Sequence, residues 1–153
     1  MKTLHLIMLA MVAAQISGFC QKGFSGETTA PAASATEGAT VTLTGGVKYT
    51  DMKTGSGAEA TGETTISIHY IGCLENGKVF EHSRDRIVPL PLTYVPKMGS
   101  VIDGLEQGVK GMRVGGRRVI FIPSGLAYGA AGRSPHVPPN TNLIFDVELV
   151  SVK

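Results

Sequence analysis

A tyrosine held among turn residues is the first side chain in this sequence that invites chemistry. It stands at position 128 in "IPSGLAYG", residues 122–129, where one Pro and two Gly set a tight loop. A phenol presented by such a loop can offer its hydroxyl to a ligand or to a backbone carbonyl. Ser124 in the same loop would need a His base to act as a nucleophile, and nothing in the sequence pairs them. Glu81 and Asp85, in "EHSRDR", could form a carboxylate pair, but bonds to Arg84, Arg86 or the loop backbone are the simpler expectation. His69, His82 and His136 do not stand at metal-ligand spacing, and Cys20 and Cys73 form no Cys-x-x-Cys motif. The chain carries no GxSxG, HExxH or P-loop, and no GxGxxG follows a strand. No metal and no cofactor are expected.

The remaining candidates are apolar and come from many separate segments: Tyr70, Phe80, Val101, Ile102, Leu105 and Phe145. Taken alone, each could be ordinary core. Tyr128 fits that reading least, because a core tyrosine rarely sits in a Gly-flanked turn.

The elements that would position them can be read from periodicity. "TTISIHYIGCL" is the clearest strand, with Ile66, Ile68 and Tyr70 on one face and His69, Ile71 and Cys73 on the other. Asn76-Gly77 follows as a hairpin signal, and "VF" opens the return strand. "VTLTGGVKYTDM" reads as two short strands or one kinked strand. Pro89 and Pro91 limit "PLPLTYV" to an edge or interrupted strand. "GGRRVIFIP" is a strand, and "TNLIFDVELVSV" closes the chain with Leu143, Phe145, Val147 and Leu149 on one face. In "VIDGLEQGVKGM" the rhythm changes: Ile102, Leu105 and Val109 recur at helical spacing. Asp103 and Glu106 near its start and Lys110 near its end suit the helix dipole. Gly104 and Gly108 share one side of this helix and permit close approach to a sheet. The fold class expected is α+β: an antiparallel sheet of about five strands with one short helix on one face.

Composition bounds the rest. A chain of 153 residues has room for one domain and an appendage. The formal charge is only +2 and the basic residues are scattered, so no nucleic-acid partner is expected; "GGRR" at 115–118 is too short for a phosphate-tracking stripe. Lys2 followed by "LIMLAMVAA" has the form of a secretory signal, too short to span a bilayer comfortably. Residues 1–19 are assigned to it, with cleavage near Ala14; alternatively Cys20 becomes a lipidated N-terminus, the one route to a membrane. Residues 20–44 are small and polar and read as a flexible tether, leaving 45–153 as the domain. The chain ends in "VSVK" rather than an ER-retention signal, so export to a bacterial periplasm or cell envelope is expected.

"HYIGCLENGKVFEHSRDR", "VIDGLEQGVKGMRVGGRR", "IPSGLAYG" and "VPPN" followed by "LIFDVEL" resemble the FKBP-type peptidyl-prolyl cis-trans isomerases, the macrolide-binding immunophilins. The resemblance spans about residues 46–153, in register apart from a two-residue lengthening between Pro89 and Val101. It implies a strongly twisted sheet wrapped on the helix, with an apolar pocket between them that takes a prolyl ring. Tyr70, Phe80, Val101, Ile102, Tyr128 and Phe145 stand as the family's pocket residues do. By the same resemblance Leu105 takes the floor, where the best-known members have Trp, and Leu90 a wall position often held by Phe. Arg86 matches a buried loop arginine, and His136 and Val137 fall in the long loop over the pocket.

Three positions depart from the family's pattern. Glu81 stands where Asp is usual, and its extra methylene alters its reach toward Tyr128 or Arg86. His136 replaces an aliphatic, and Arg133 occupies a variable loop position; both bear on substrate preference. The resemblance implies an isomerase acting on X-Pro segments of unfolded or exported proteins, with rapamycin-type macrolides as inhibitors. A binding or chaperone module with weak turnover is the alternative, and Glu81 is the residue that raises it.

Overall fold

The computed structural model describes residues 38–85 and 88–153. The expected signal peptide, most of the tether, Cys20 and Arg86 therefore lie outside the described residues. What is described is one antiparallel sheet with a single short α-helix against it.

The strands are β1 (Thr40–Thr42), β2 (Lys48–Lys53), β3 (Ile66–Leu74), β4 (Val79–His82), β5 (Leu92–Tyr94), β6 (Arg117–Ile122) and β7 (Leu143–Val152). They run in the order β1-β2-β6-β7-β3-β4, and β5 also pairs with β3. Seven strands thus replace the expected five or so. The surplus lies in β1 and β5, each three residues long. Such edges hold only a few ladder bonds and leave little periodicity to read.

β1 lies within the stretch expected to be tether. Thr40, Val41 and Thr42 pair with Thr50, Tyr49 and Lys48 across a turn in which Gly45 and Gly46 adopt φ of 82° and 86°. Position 45, expected to begin the domain, lies inside that turn. The β-branched run at 40–42 is exposed, so it was the glycine break rather than burial that separated the two strands.

β3 and β7 form the longest ladder, from Ile66↔Val152 to Leu74↔Leu143. Ile68, Tyr70, Ile120, Ile122, Leu143, Phe145, Val147 and Leu149 from β3, β6 and β7 are buried in one core. Burying each such side chain contributes about 1.5–3 kcal/mol. The predicted alternation holds along β7, and Asp146 on its opposite face is buried as well, because Arg117 neutralises it at 2.5–2.8 Å.

The helix, α1 (Asp103–Val109), lies against β6 and buries Gly104, Leu105, Gly108 and Val109. The two glycines do what their spacing predicts. A Cβ on Gly104 would collide with the Ile122 side chain, and one on Gly108 would lie 2.5 Å from Ile120 Cγ2. Lys110 ends the helix through its backbone, its amide donating to the Glu106 carbonyl at 3.2 Å. The buried Arg118 of β6 also reaches this end and donates to the Gly108 carbonyl at 2.8 Å. Its other nitrogens hold Asp51 at 2.6 and 2.9 Å, and its guanidinium lies 3.8 Å over the Tyr49 ring. One cation thereby ties helix, β6 and β2 together.

Candidate functional site

A cavity of about 380 Å³ opens between α1 and the sheet. Tyr70 of β3, Leu92 of β5, Leu105 of α1 and Phe145 of β7 supply apolar lining, with Val101 and Ile102 from the segment entering the helix. Gly99 and Ser100 extend that side. Glu81, Tyr128 and Arg133 supply the polar side.

The aromatic group is built around Gly72. Phe145 packs on Tyr70 with ring centroids 5.7 Å apart and meets Phe80 edge-on at 5.9 Å. A Cβ on Gly72 would lie 2.7 Å from Phe80 Cζ and 3.1 Å from Phe145 Cε1, so only glycine admits both rings. Phe80 braces the lining ring of Phe145 edge-on and is not among the residues that line the cavity. Gly72 went unnoticed in the sequence, although a lone glycine inside a strong strand pattern signals close approach.

Ile102 is the residue before α1, with extended backbone at φ −65° and ψ 144°. Its carbonyl accepts the Leu105 and Glu106 amides. Its own amide finds no acceptor among the described residues, which leaves an N–H at the cavity. The chain leading to it is braced from the helix: both oxygens of Glu106 accept the Lys97 amide, at 3.0 and 3.1 Å. The Tyr94 hydroxyl, buried just before this segment, is held in its protonated form by burial and then by the nearby Glu106 charge.

Tyr128 follows the 3₁₀ turn Ser124–Leu126 and precedes another at Gly129–Ala131. The turn is tied to β7's approach by the Ser124 amide donating to Asn142 Oδ1 at 2.9 Å. The half-buried Tyr128 ring packs on the core and its hydroxyl faces the cavity's polar side. Arg133 Nη1 donates to that hydroxyl at 3.3 Å and to Glu81 Oε2 at 2.9 Å. The guanidinium carbon lies 5.7 Å from the Tyr128 ring centre. Arg133 is held further toward its charged form, chiefly by the hydrogen bond to Glu81 and then by Tyr128.

The geometry departs from several expectations. Glu81 reaches Arg133, because the loop after Tyr128 brings the guanidinium to the end of β4; its expected contact with Arg86 falls outside the described residues. Asp85 pairs with His82 at 2.9 Å, and Arg84 pairs with Glu148 at 2.7 Å. Leu90 is 65% exposed and lines no part of the cavity; Leu92 takes its place. Directly opposed residues share a sheet face, so Leu92, opposite the buried Ile68, points to the core side. Leu90 precedes the strand, where its amide bonds back to the Val88 carbonyl and the chain bends outward. Val137 is buried core rather than a wall of the cavity, and His136 is exposed at the loop tip. Arg86 lies outside the described residues. Among those residues, no group of three His, Cys, Asp or Glu gathers to hold a metal.

A twisted antiparallel sheet with one short helix, enclosing an apolar cavity with a phenol and an open amide at its edge, defines a ligand-binding α+β domain. A family model described as FKBP-type peptidyl-prolyl cis-trans isomerase matches residues 56–150. The chain is 44% identical over 108 residues to an FK506-binding protein of Neisseria meningitidis serogroup B, covering 71% of this chain and 97% of that protein. It is 45% identical over 111 residues to FK506-binding protein 4 of Dictyostelium discoideum, covering 72% of this chain but 29% of that protein. The chain thus spans under a third of the longer Dictyostelium relative. Among solved structures, a peptidyl-prolyl cis-trans isomerase from Pseudomonas syringae superposes with a TM-score of 0.65 at 26% identity, over 95% of this chain and 92% of that one. AtFKBP13 gives a TM-score of 0.69 at 36% identity, over 75% and 99%. The chain belongs to the FKBP-type peptidyl-prolyl cis-trans isomerase family.

Proposed function

We propose that the cavity seats the prolyl ring of an X-Pro segment and that the chain turns such segments over in unfolded or exported proteins. The observation that carries this reading is the pairing of an apolar cavity of about 380 Å³ with the Tyr128 hydroxyl at its polar side. Rotation about X-Pro faces the amide-resonance barrier of about 18–20 kcal/mol, and uncatalysed exchange takes roughly tens to hundreds of seconds. No bond to the substrate need form. A planar amide separates more charge than a twisted one, so water favours the planar form. A dry lining of Ile102, Leu105 and Phe145 withdraws that preference and lowers the barrier. The Tyr128 hydroxyl and the Ile102 amide are placed to donate to substrate carbonyls while the ring stays seated.

Assay of the full chain with a proline peptide, by protease coupling or exchange NMR, tests the reading. Turnover above buffer, blocked by FK506 or rapamycin, is the expected result; several relatives are named for FK506 binding. Macrolide binding without turnover would make the domain a binding module, and neither would end the assignment. Export rests on the apolar run at residues 6–14 and is tested separately. Mass spectrometry of the envelope fraction should find an N-terminus at Gln15 or a diacylated Cys20; an intact Met1 in the cytosol would refute it.

A further inference from the structure

We propose that Arg133 is a positioning residue for the reaction: clamped by Glu81, it fixes the Tyr128 hydroxyl so that the phenol's own proton is directed at the substrate carbonyl. The inference rests on the isomerase reading given above.

A phenol oxygen can accept as well as donate, and its proton rotates about the C–O bond unless something sets it. Arg133 Nη1 donates to Tyr128 Oη at 3.3 Å. With a donor occupying that oxygen, the proton turns away from the guanidinium. No acceptor for it exists among the described residues, so it stays available to a ligand in the cavity that Tyr128 lines. A guanidinium has no acceptor atom, so it can set the hydroxyl in one sense only.

Arg133 itself needs fixing, because its side chain is 48% exposed and an exposed arginine samples many rotamers. Two features fix it. The same Nη1 is bonded at 2.9 Å to Glu81, whose side chain is only 21% exposed on β4. The backbone of Arg133 is closed in a tight turn with Val137 by reciprocal bonds at 2.8 Å, and Val137 is 2% exposed in the core. Gly132 enters that turn at φ 63°, where a Cβ would lie 2.6 Å from the Val137 carbonyl oxygen. Val137 and Gly132 thus serve the site through Arg133, and neither lines the cavity. The length of Glu81 has a reason in this arrangement: the extra methylene carries the carboxylate across to a guanidinium supplied by the opposite loop.

The test is a mutant cycle in the full chain, with kcat and KM measured separately on one proline peptide. Arg133→Gln should lower kcat about fivefold while KM and the thermal melt stay nearly unchanged. Arg133→Lys should recover part of the loss, and Glu81→Asp should reproduce part of it. In a Tyr128→Phe background, Arg133→Gln should have no further effect, since no hydroxyl remains to be set. An equal fold-loss with and without the hydroxyl would overturn the proposal, as would a loss confined to KM, which would mean that Arg133 merely holds the peptide. A fully active Arg133→Gln protein would do the same. An inert wild-type protein would remove the isomerase reading and this inference with it. Active wild type with additive effects would remove this inference alone.

Discussion

The cavity has two unlike sides. On one, α1 lies so close to β6 that Gly104 and Gly108 leave no room for a methyl group, and Leu105 is buried in the core. On the other, Tyr128, Arg133 and Glu81 form a polar bridge from residues that are exposed or half-buried. The first side is held by close packing, where one added methyl is felt at once. The second is held by hydrogen bonds in partial contact with water, each contributing about 0.5–1.5 kcal/mol. Stability and turnover should therefore be separable by side. Changes on the helix side should act through the fold, and changes on the loop side through rate.

The largest effect is expected at Gly104→Ala. The new methyl would strike the Ile122 side chain and press on the Leu126 carbonyl oxygen at 3.1 Å. Overpacking of this kind costs about 1–3 kcal/mol. The urea midpoint should fall by that free energy divided by m, with m itself constant and activity lost in proportion to unfolding. An unchanged midpoint would show that α1 can slide on β6, and the rigid side would not be rigid.

Gly72→Ala comes next and acts between the two sides. Its methyl would displace Phe80 or Phe145 while leaving β3 paired with β7. The aromatic lining should shift and kcat/KM should drop about tenfold, or about 1.4 kcal/mol, more than the melt does. A loss of stability with full activity in the remaining folded protein would place those rings in the core alone.

The two helix glycines show how much of the molecule the sequence disclosed. Gly104 and Gly108 were legible because helical spacing put them on one side together, and a local period implies a local surface. The core alternation of β7 was legible for the same reason. Tyr128 stood out because an aromatic in a glycine turn contradicts its neighbours. Arg133 did not disclose its role, since its partner Glu81 is 52 positions away and only the closed fold brings them together. Leu90 and Leu92 could not be told apart by a period of two, because both fall on the same alternate. The bend at Val88–Leu90 decides between them, and no residue type announces it.

Tyr128→Phe sharpens the comparison from the loop side. The ring keeps its packing and loses only a hydroxyl, so the melt should hold. A lost bond to a neutral carbonyl contributes about 0.5–1.5 kcal/mol, which lowers kcat/KM from a few-fold to about tenfold. A matching fall in stability would mean that the hydroxyl holds the loop through Arg133 rather than serving the ligand.

The smallest effect is expected at Leu90→Ala and His136→Ala, and it tests where the loop side ends. Both residues are exposed and neither lines the cavity. Removing them takes little apolar surface from contact, and surface changes of this kind stay within about 0.5 kcal/mol, or about twofold in rate. Stability should be unchanged as well. The measurement is kcat/KM on short proline peptides, followed by refolding of a protein limited by X-Pro isomerisation. If Leu90→Ala is silent on the peptide but slows the refolding assay, Leu90 touches long clients beyond the prolyl ring. If it lowers the peptide rate as far as Tyr128→Phe does, the segment at 88–91 folds over the cavity when substrate binds, and the outward bend is only its resting position.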